Sequence, residues 1–182
     1  MTSSVELFQK FVNQSKIFIE TGTFSGEGIQ CALDAGFEKI YSCDINSEYV
    51  ERAKEKYKDY DVTVENLESQ DFLEKILPTI NERVVIFLDA HSMPHDVCDK
   101  SRGFGDDTVK EGVGPCPLEK ELNAIKKHPI KDHIIMIDDF HCFNTWMFDD
   151  LEFDQINEEV TGINSKYKAR LAGNVLCYKI SK

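Results

Sequence analysis

The string Phe18-Ile19-Glu20-Thr21-Gly22-Thr23-Phe24-Ser25-Gly26-Glu27-Gly28 decides how this chain folds. The apolar run from Lys16 to Ile19 reads as a first strand, ending at the acid Glu20. Thr21 to Gly26 is a turn of small residues, and Glu27 to Ala35 is helical, with Gly36 as its stop. A strand, a glycine turn and a helix in that order mark the place where an open α/β sheet binds its ligand. Gly22 and Gly26 let the backbone turn sharply and come close to that ligand. The pattern Glu-x-Gly-x-x-x-Gly is not the dinucleotide fingerprint Gly-x-Gly-x-x-Gly, and no Gly-Lys-Ser/Thr follows to make a P-loop. Both absences argue against a pyrophosphate or triphosphate ligand.

Working outward, Val5 to Phe11 have the spacing of an amphipathic lead-in helix over 5–14. Lys39 to Cys43 is a second strand ending at Asp44, followed by a charged helix, Ser47 to Tyr57, with the apolar stripe Val50, Ala53 and Tyr57. Asp61 to Glu65 is a third strand, and Asp71 to Leu77 a helix closed by Pro78. Val84 to Leu88 is a continuous apolar run, as a buried parallel strand requires, and Asp89 ends it. Leu118 to Lys127 is a helix, and His133 to Ile137 a fifth strand ending at Asp138 and Asp139. Phe153 to Val160 reads as a weak helix, and Lys166 to Leu171 and Val175 to Ile180 as a hairpin around Gly173-Asn174. Strands alternating with helices, then a terminal hairpin, give an α/β fold with a mainly parallel sheet and helices on both faces. Ser92 to Pro117 has no period and is rich in Gly, Asp, Pro and Lys; it is expected to be a mobile lid.

Asp44 sharpens the ligand. A carboxylate at the end of the second strand can accept both hydroxyls of a ribose. A ribose without a phosphate chain fits S-adenosylmethionine (SAM). Residues 17–57 resemble the opening of class I SAM-dependent methyltransferases, and the resemblance runs on through Phe87-Leu88-Asp89-Ala90-His91 to the final hairpin. It implies a Rossmann-like, seven-stranded sheet with a C-terminal antiparallel hairpin, in one domain over 1–182. It implies cofactor contacts from Glu20 to the methionyl amine, from Gly22, Thr23, Phe24, Ser25 and Gly26 in the turn, from Asp44 to the ribose, and from Asp89. After the third strand the family often carries Gly-Asp-Ser; here Leu67-Glu68-Ser69 aligns, so Glu68 and Ser69 are the adenine candidates and the glycine is missing.

Three acids, Asp89, Asp138 and Asp139, follow two strands that lie side by side in this fold. Carboxylates gathered in one cleft repel unless protonated or bridged by a cation, and oxygen ligands favour a hard ion such as Mg²⁺. The arrangement resembles the metal-dependent O-methyltransferases of the catechol and macrocin types, which implies Mg²⁺ at these acids and methylation of a hydroxyl. His91 and His141, each two residues past a strand-end acid, are candidate general bases beside Asp89. His91, His95, Cys98, Cys116, His141 and Cys142 offer zinc ligand types without a strong spacing pattern. Phe143, Trp146 and Phe148 are candidates to line an acceptor pocket.

The 182 residues suit one domain, and the charge balance of 21 basic against 33 acidic residues, net -12, opposes binding to nucleic acid. No apolar run reaches the roughly 20 residues that cross a bilayer. Six scattered cysteines with no CxxC pair and no secretory leader point to reduced thiols and a cytoplasmic location. The expected function is methyl transfer from SAM to a small hydroxylated acceptor such as a sugar, a phenol or a polysaccharide precursor. A homodimer is admitted. The alternatives are a metal-independent enzyme with His91 as base and a non-catalytic SAM- or nucleoside-binding module.

Overall fold

The computed structural model describes residues 4–91, 116–145 and 148–180. The order of elements is α1 (Ser4–Gln9), β1 (Ile17–Thr21), α2 (Glu27–Ala35), β2 (Lys39–Asp44), α3 (Ser47–Lys56), β3 (Val62–Asn66), α4 (Ser69–Ile76), β4 (Val85–Leu88), α5 (Leu118–Lys127), β5 (Ile134–Ile137), α6 (Phe153–Ile163), β6 (Tyr167–Ala172) and β7 (Val175–Ile180). The strands form one seven-stranded sheet in the order β3-β2-β1-β4-β5-β7-β6. The first five run parallel, and β7 is antiparallel to both β5 and β6. The chain builds outward from β1 to β3, then returns to start again at β4. The reversal leaves a crevice above the carboxyl ends of β1 and β4.

Alternation along the strands divides the core in two. Phe18, Val85, Phe87, Ile134 and Met136 pack with α1, α2 and α3 on one face. Ile19, Ile86, Leu88, Ile135 and Ile137 pack with α4, α5 and α6 on the other. Both faces of β4 and β5 are therefore buried, which is why these strands read as unbroken apolar runs. Phe18 is fully buried among three other rings, with centroids 4.8 Å from Phe8, 5.1 Å from Phe37 and 6.2 Å from Phe87.

At the opposite end of the sheet, two buried histidines stitch neighbouring segments together. The Val84 amide donates to His133 Nδ1, so the ring proton sits on Nε2 and is donated to His128 Nδ1, 2.9 Å away. His128 Nε2 then donates to the Ile80 carbonyl. The chain of bonds needs a neutral His133, and burial pulls that ring down to about 4.

Three elements differ most from the sequence reading, the first being α1, which runs Ser4–Gln9 and so ends five residues short of the helix expected over 5–14. Helix α4 begins at Ser69, two residues early, because Glu68 is already extended and serves as its cap. Helix α6 is three residues longer than the periodicity suggests, reaching Ile163. Its start is fixed by reciprocal hydrogen bonds between Glu152 and Gln155, a capping box built on an acid rather than the usual Ser or Thr. The expected lid lies outside the described residues except for Cys116 and Pro117.

The aromatic cluster on the α1–α3 face makes a stability prediction. Phe18→Ala should lower the free energy of unfolding by about 3–5 kcal/mol in urea titrations, because a large side chain leaves a site that neighbours cannot fill. Ile45→Ala, at an exposed side chain, serves as the control with little change.

Candidate functional site

The crevice is built on the turn after β1. Gly22 has φ 86°, and a Cβ placed there would come within 2.8 Å of the Asp89 carbonyl oxygen. The turn is therefore pressed against the end of β4. Its amide and that of Thr23 donate to the Cys43 carbonyl, which ties the same turn to β2. Gly26, at φ 77°, is held by the Tyr57 hydroxyl, which donates to its carbonyl at 2.6 Å. Between them Phe24 takes a left-handed φ of 43°, and its ring, 40% exposed, meets Tyr49 edge-on. Ser25 completes this turn and lines a shallow pocket with Tyr49 and Arg52.

Two buried carboxylates flank β1 from opposite faces. Glu20 is 1% exposed and lies under α2, where a Cβ on Gly28 would fall 1.8 Å from its Oε1. Ser42 donates to Glu20 Oε2 at 2.6 Å, and its oxygen in turn lies 2.6 Å from the Thr23 hydroxyl. Glu20 thus reaches the turn through two hydroxyls. From the other face, Glu121 in the first turn of α5 is also 1% exposed. The hydroxyls of Ser69 and Thr21 lie against its carboxylate, while Oε1 has no hydrogen-bond partner among the described residues. Burial pushes Glu20 up to about 8 and Glu121 up to about 7.

Asp44 is half-buried, and each oxygen accepts one backbone amide: Oδ2 from Phe24 at 2.8 Å and Oδ1 from Asn46 at 2.9 Å. A carboxylate has about four lone-pair directions, and bonds to both oxygens fix the orientation of the group. Next to it, Ile45 is 63% exposed and gives the crevice an apolar wall. Glu68 is exposed and Ser69 buried, so of the two adenine candidates Ser69 faces inward, toward Glu121.

The ends of β4 and β5 meet as neighbours, with Leu88 opposite Ile137. Asp138 Oδ1 accepts the amide of Asp139 at 2.8 Å. Asp139 has φ 50°, and its two oxygens are held apart: Oδ1 accepts from Asn174 Nδ2, and Oδ2 lies 2.8 Å from His91 Nε2. The same nitrogen is 3.9 Å from Asp89 Oδ1. Asp89 is held well above the ordinary carboxylate range, first by burial and then by Asp138, Glu20, Asp139 and Glu121. Burial also raises Asp138, whereas the hydrogen bond from His91 lowers Asp139.

Among the described residues, two sets of donor atoms lie within 4.8 Å of one another: Asp89, His91 and Asp139, and separately Asp139, His141 and Cys142. His141 is 67% exposed and bonds through Nδ1 to Asn174, away from His91. Of the three acids named for Mg²⁺, Asp89 and Asp139 converge, together with a ring nitrogen, whereas Asp138 is in neither set and accepts its neighbour's amide. Of the zinc-type residues, His95 and Cys98 lie outside the described residues, as does Trp146. Phe143 and Phe148 stack 5.0 Å apart and pack, with Phe148 against His91, on the α4–α6 side.

Three residues of the site were not marked in the sequence. Gly28 is required by the Glu20 carboxylate; its signal was a third glycine in the first turn of a helix, where glycine is otherwise unfavourable. Ile45 is an apolar residue in a polar string directly after Asp44. Glu121 carried no signal, because an acid in the first turn of a charged helix is ordinary.

No protein-family model matches the chain, and no curated protein matches it in sequence. Solved structures do match in fold. A methyltransferase from Podospora anserina, bound to S-adenosylhomocysteine (SAH), superposes with a TM-score of 0.59 at 12% identity, over 100% of this chain and 80% of that one. A putative methyltransferase from Streptococcus mutans in complex with SAH gives 0.56 at 11%, over 98% of each. A putative O-methyltransferase from Klebsiella pneumoniae gives 0.59 at 13%, over 97% and 80%. The chain has the Rossmann-like fold of these methyltransferases. No helix among the described residues is long and apolar enough to cross a membrane.

The buried acids set a pH dependence. Glu20 titrates near 8 and Glu121 near 7 in the folded protein, against 4.5 unfolded. Between those limits the native state holds protons that the unfolded chain has shed, so stability falls as pH rises. Urea midpoints from pH 5 to 8 should show this decline, and Glu20→Gln and Glu121→Gln should each flatten it.

Proposed function

We propose that this chain is a SAM-dependent methyltransferase acting on a hydroxyl oxygen of a small acceptor, such as a sugar, a phenol or a polysaccharide precursor. The observation that carries the reading is the crevice where Gly22 meets the Asp89 main chain with Asp44 one strand away. A side chain at Gly22 would fill that space. A pre-shaped glycine turn, a fixed carboxylate and an apolar wall are what a nucleoside with a short charged tail needs. Pyrophosphate ligands need a different glycine spacing.

In this reading SAM supplies an electrophilic methyl group. The chain's own residues do the rest. Asp44 accepts the ribose hydroxyls, Ile45 covers the base, and Ser69 with the main chain before it borders the far end. Thr23, Phe24, Ser25 and Gly26 shape the turn around the amino-acid tail. Glu20, two hydroxyls behind that turn, keeps it in place and stands nearest the amine. Asp89, Asp138 and Asp139 would hold a divalent cation at which an acceptor oxygen is oriented; for carboxylates alone the resemblance gives Mg²⁺. The catalytic gain asked of the site is mostly orientation of the oxygen for in-line attack, and a lowered hydroxyl pKa if the cation binds it. The charge of -12 favours small acceptors over nucleic acid, and a cytoplasmic location and assembly with a second copy belong to the same proposal.

One contact favours a second reading. His91 Nε2 lies 2.8 Å from Asp139 Oδ2, an Asp–His pair that orients an imidazole to take a proton from a hydroxyl. In that metal-free route His91 is the base and Asp89 positions the acceptor. His141, bonded to Asn174, stands outside this pair.

Calorimetry with SAH should give a one-to-one complex, weakened by roughly 1–3 kcal/mol in Asp44→Ala through loss of buried charge-assisted bonds. Absence of heat and of thermal stabilisation at millimolar SAH overturns the cofactor reading. With an active acceptor in hand, excess EDTA should abolish turnover and leave SAH affinity intact. Turnover that survives EDTA and collapses in His91→Ala assigns the metal-free route instead.

A further inference from the structure

Five carboxylates gather at the ends of β1, β4 and β5: Glu20, Asp89, Glu121, Asp138 and Asp139. Among the described residues no lysine or arginine forms an ion pair with any of them. Asp138, Glu20, Asp139 and Glu121 all raise Asp89, while His91 and His141 are groups that lower Asp138 and Asp139. One of these carboxylates, Glu121, is buried with an oxygen that has no hydrogen-bond partner among the described residues, and His91 lowers its pKa. Such an oxygen costs free energy unless something positive is near it.

The donors that converge are one oxygen from Asp89, one nitrogen from His91 and one oxygen from Asp139, all within 4.8 Å of one another. An ion about 2.1 Å from each ligand puts neighbouring ligand atoms about 3.0–3.4 Å apart. The observed separations from His91 Nε2, 2.8 Å to Asp139 and 3.9 Å to Asp89, bracket that spacing. The ligands are also oriented from behind. Asn174 holds Asp139 Oδ1 and so presents Oδ2 to His91, the kind of outer support that metal-binding carboxylates have. The His91 ring is 6% exposed, so little movement is open to it.

We infer that Asp89, His91 and Asp139 bind one first-row transition dication, between Mn²⁺ and Zn²⁺, through two carboxylates and an imidazole, rather than Mg²⁺ through carboxylates alone. Mg²⁺ gives up its water reluctantly and prefers oxygen, whereas imidazole suits the later metals. The inference deepens the cation part of the proposed function and is independent of its cofactor part.

The test uses the full chain stripped with chelator and measured without SAM. Co²⁺ should bind one per chain with a visible d–d spectrum. Mn²⁺, followed by loss of its free EPR signal, should bind at least tenfold more tightly than Mg²⁺. In His91→Gln that preference should shrink below threefold. Asn174→Ala, which leaves all three ligands in place, should weaken Mn²⁺ several-fold. Folding of each variant is checked by its thermal transition and by SAH calorimetry. Equal affinity for Mg²⁺ and Mn²⁺, or a Co²⁺ spectrum unchanged in His91→Gln, overturns the assignment. A strong sulfur-to-cobalt charge-transfer band lost in Cys142→Ser also overturns it and moves the ion to Asp139, His141 and Cys142. No metal binding at all overturns this assignment and removes the cation from the proposed function, while SAH binding would stand or fall by its own measurement.

Discussion

The working end of this molecule depends on one backbone approach, that of Gly22 to the carbonyl of Asp89. The two strands they follow, β1 and β4, are hydrogen-bonded neighbours from Phe18 and Val85 onward. Beyond the last pair the chains part, and the distance at which they part sets the width of the crevice. At Gly22 a Cβ would stand 2.8 Å from the Asp89 oxygen, so any other residue would force the turn away from β4. The bonds from Gly22 and Thr23 to Cys43 would go with it, and so would the bond from Phe24 to Asp44. The glycine therefore fixes three strand ends at once. Its left-handed φ is the conformational reason for a glycine, and the close approach is the steric one.

Around that contact the fold accepts an electrostatic cost. Burial raises Glu20, Asp89, Glu121 and Asp138 above ordinary carboxylates. Apolar residues in their places would make a more stable protein, since a buried charge rarely repays its desolvation. The two large cores on either side of the sheet are what allow it. Proteins tend to break the rules of good packing at sites, and these four carboxylates fall together at one end of one sheet. The same chemistry at the other end is handled differently: His128 and His133 are buried with each ring nitrogen partnered, and they carry no charge into the core.

How much of this was legible follows from which physical signal each residue leaves. The strands were readable because burial on both faces makes β4 and β5 uninterrupted apolar runs, and Asp44, Asp89, Asp138 and Asp139 were readable because acids interrupt that pattern at its end. Gly22 and Gly26 announced a turn. Glu121 did not announce itself: only the packing of α5 against Thr21 and Ser69 turns a routine helix acid into a buried one. Gly28 needed the position of the Glu20 carboxylate, and Ile45 needed its exposure. The start of α6 at Phe153 was legible, but its end at Ile163 was not, because Thr161 and Gly162 are poor helix formers and look like a stop. The pairing of His91 with Asp139 lay across 48 residues, and periodicity carries no information at that range.

The terminal hairpin shows how far the site extends beyond its own strands. By sequence, Gly173-Asn174 is a tight turn and little more. In the fold, β7 inserts beside β5 and carries that turn to the β5 carboxyl end. Asn174 there accepts the Phe140 amide through its backbone carbonyl and the His141 amide through its side chain, and donates to Asp139 Oδ1 at 2.8 Å. Asp139 and the turn from Phe140 to Cys142 are thus held from outside by one asparagine. A positive φ at a non-glycine residue persists only where its surroundings over-determine it, and Asn174 supplies that constraint at Asp139. With Oδ1 engaged, the other oxygen has one direction left, toward His91. The antiparallel strand that closes the sheet is in this sense part of the site: it chooses which oxygen of Asp139 meets the histidine.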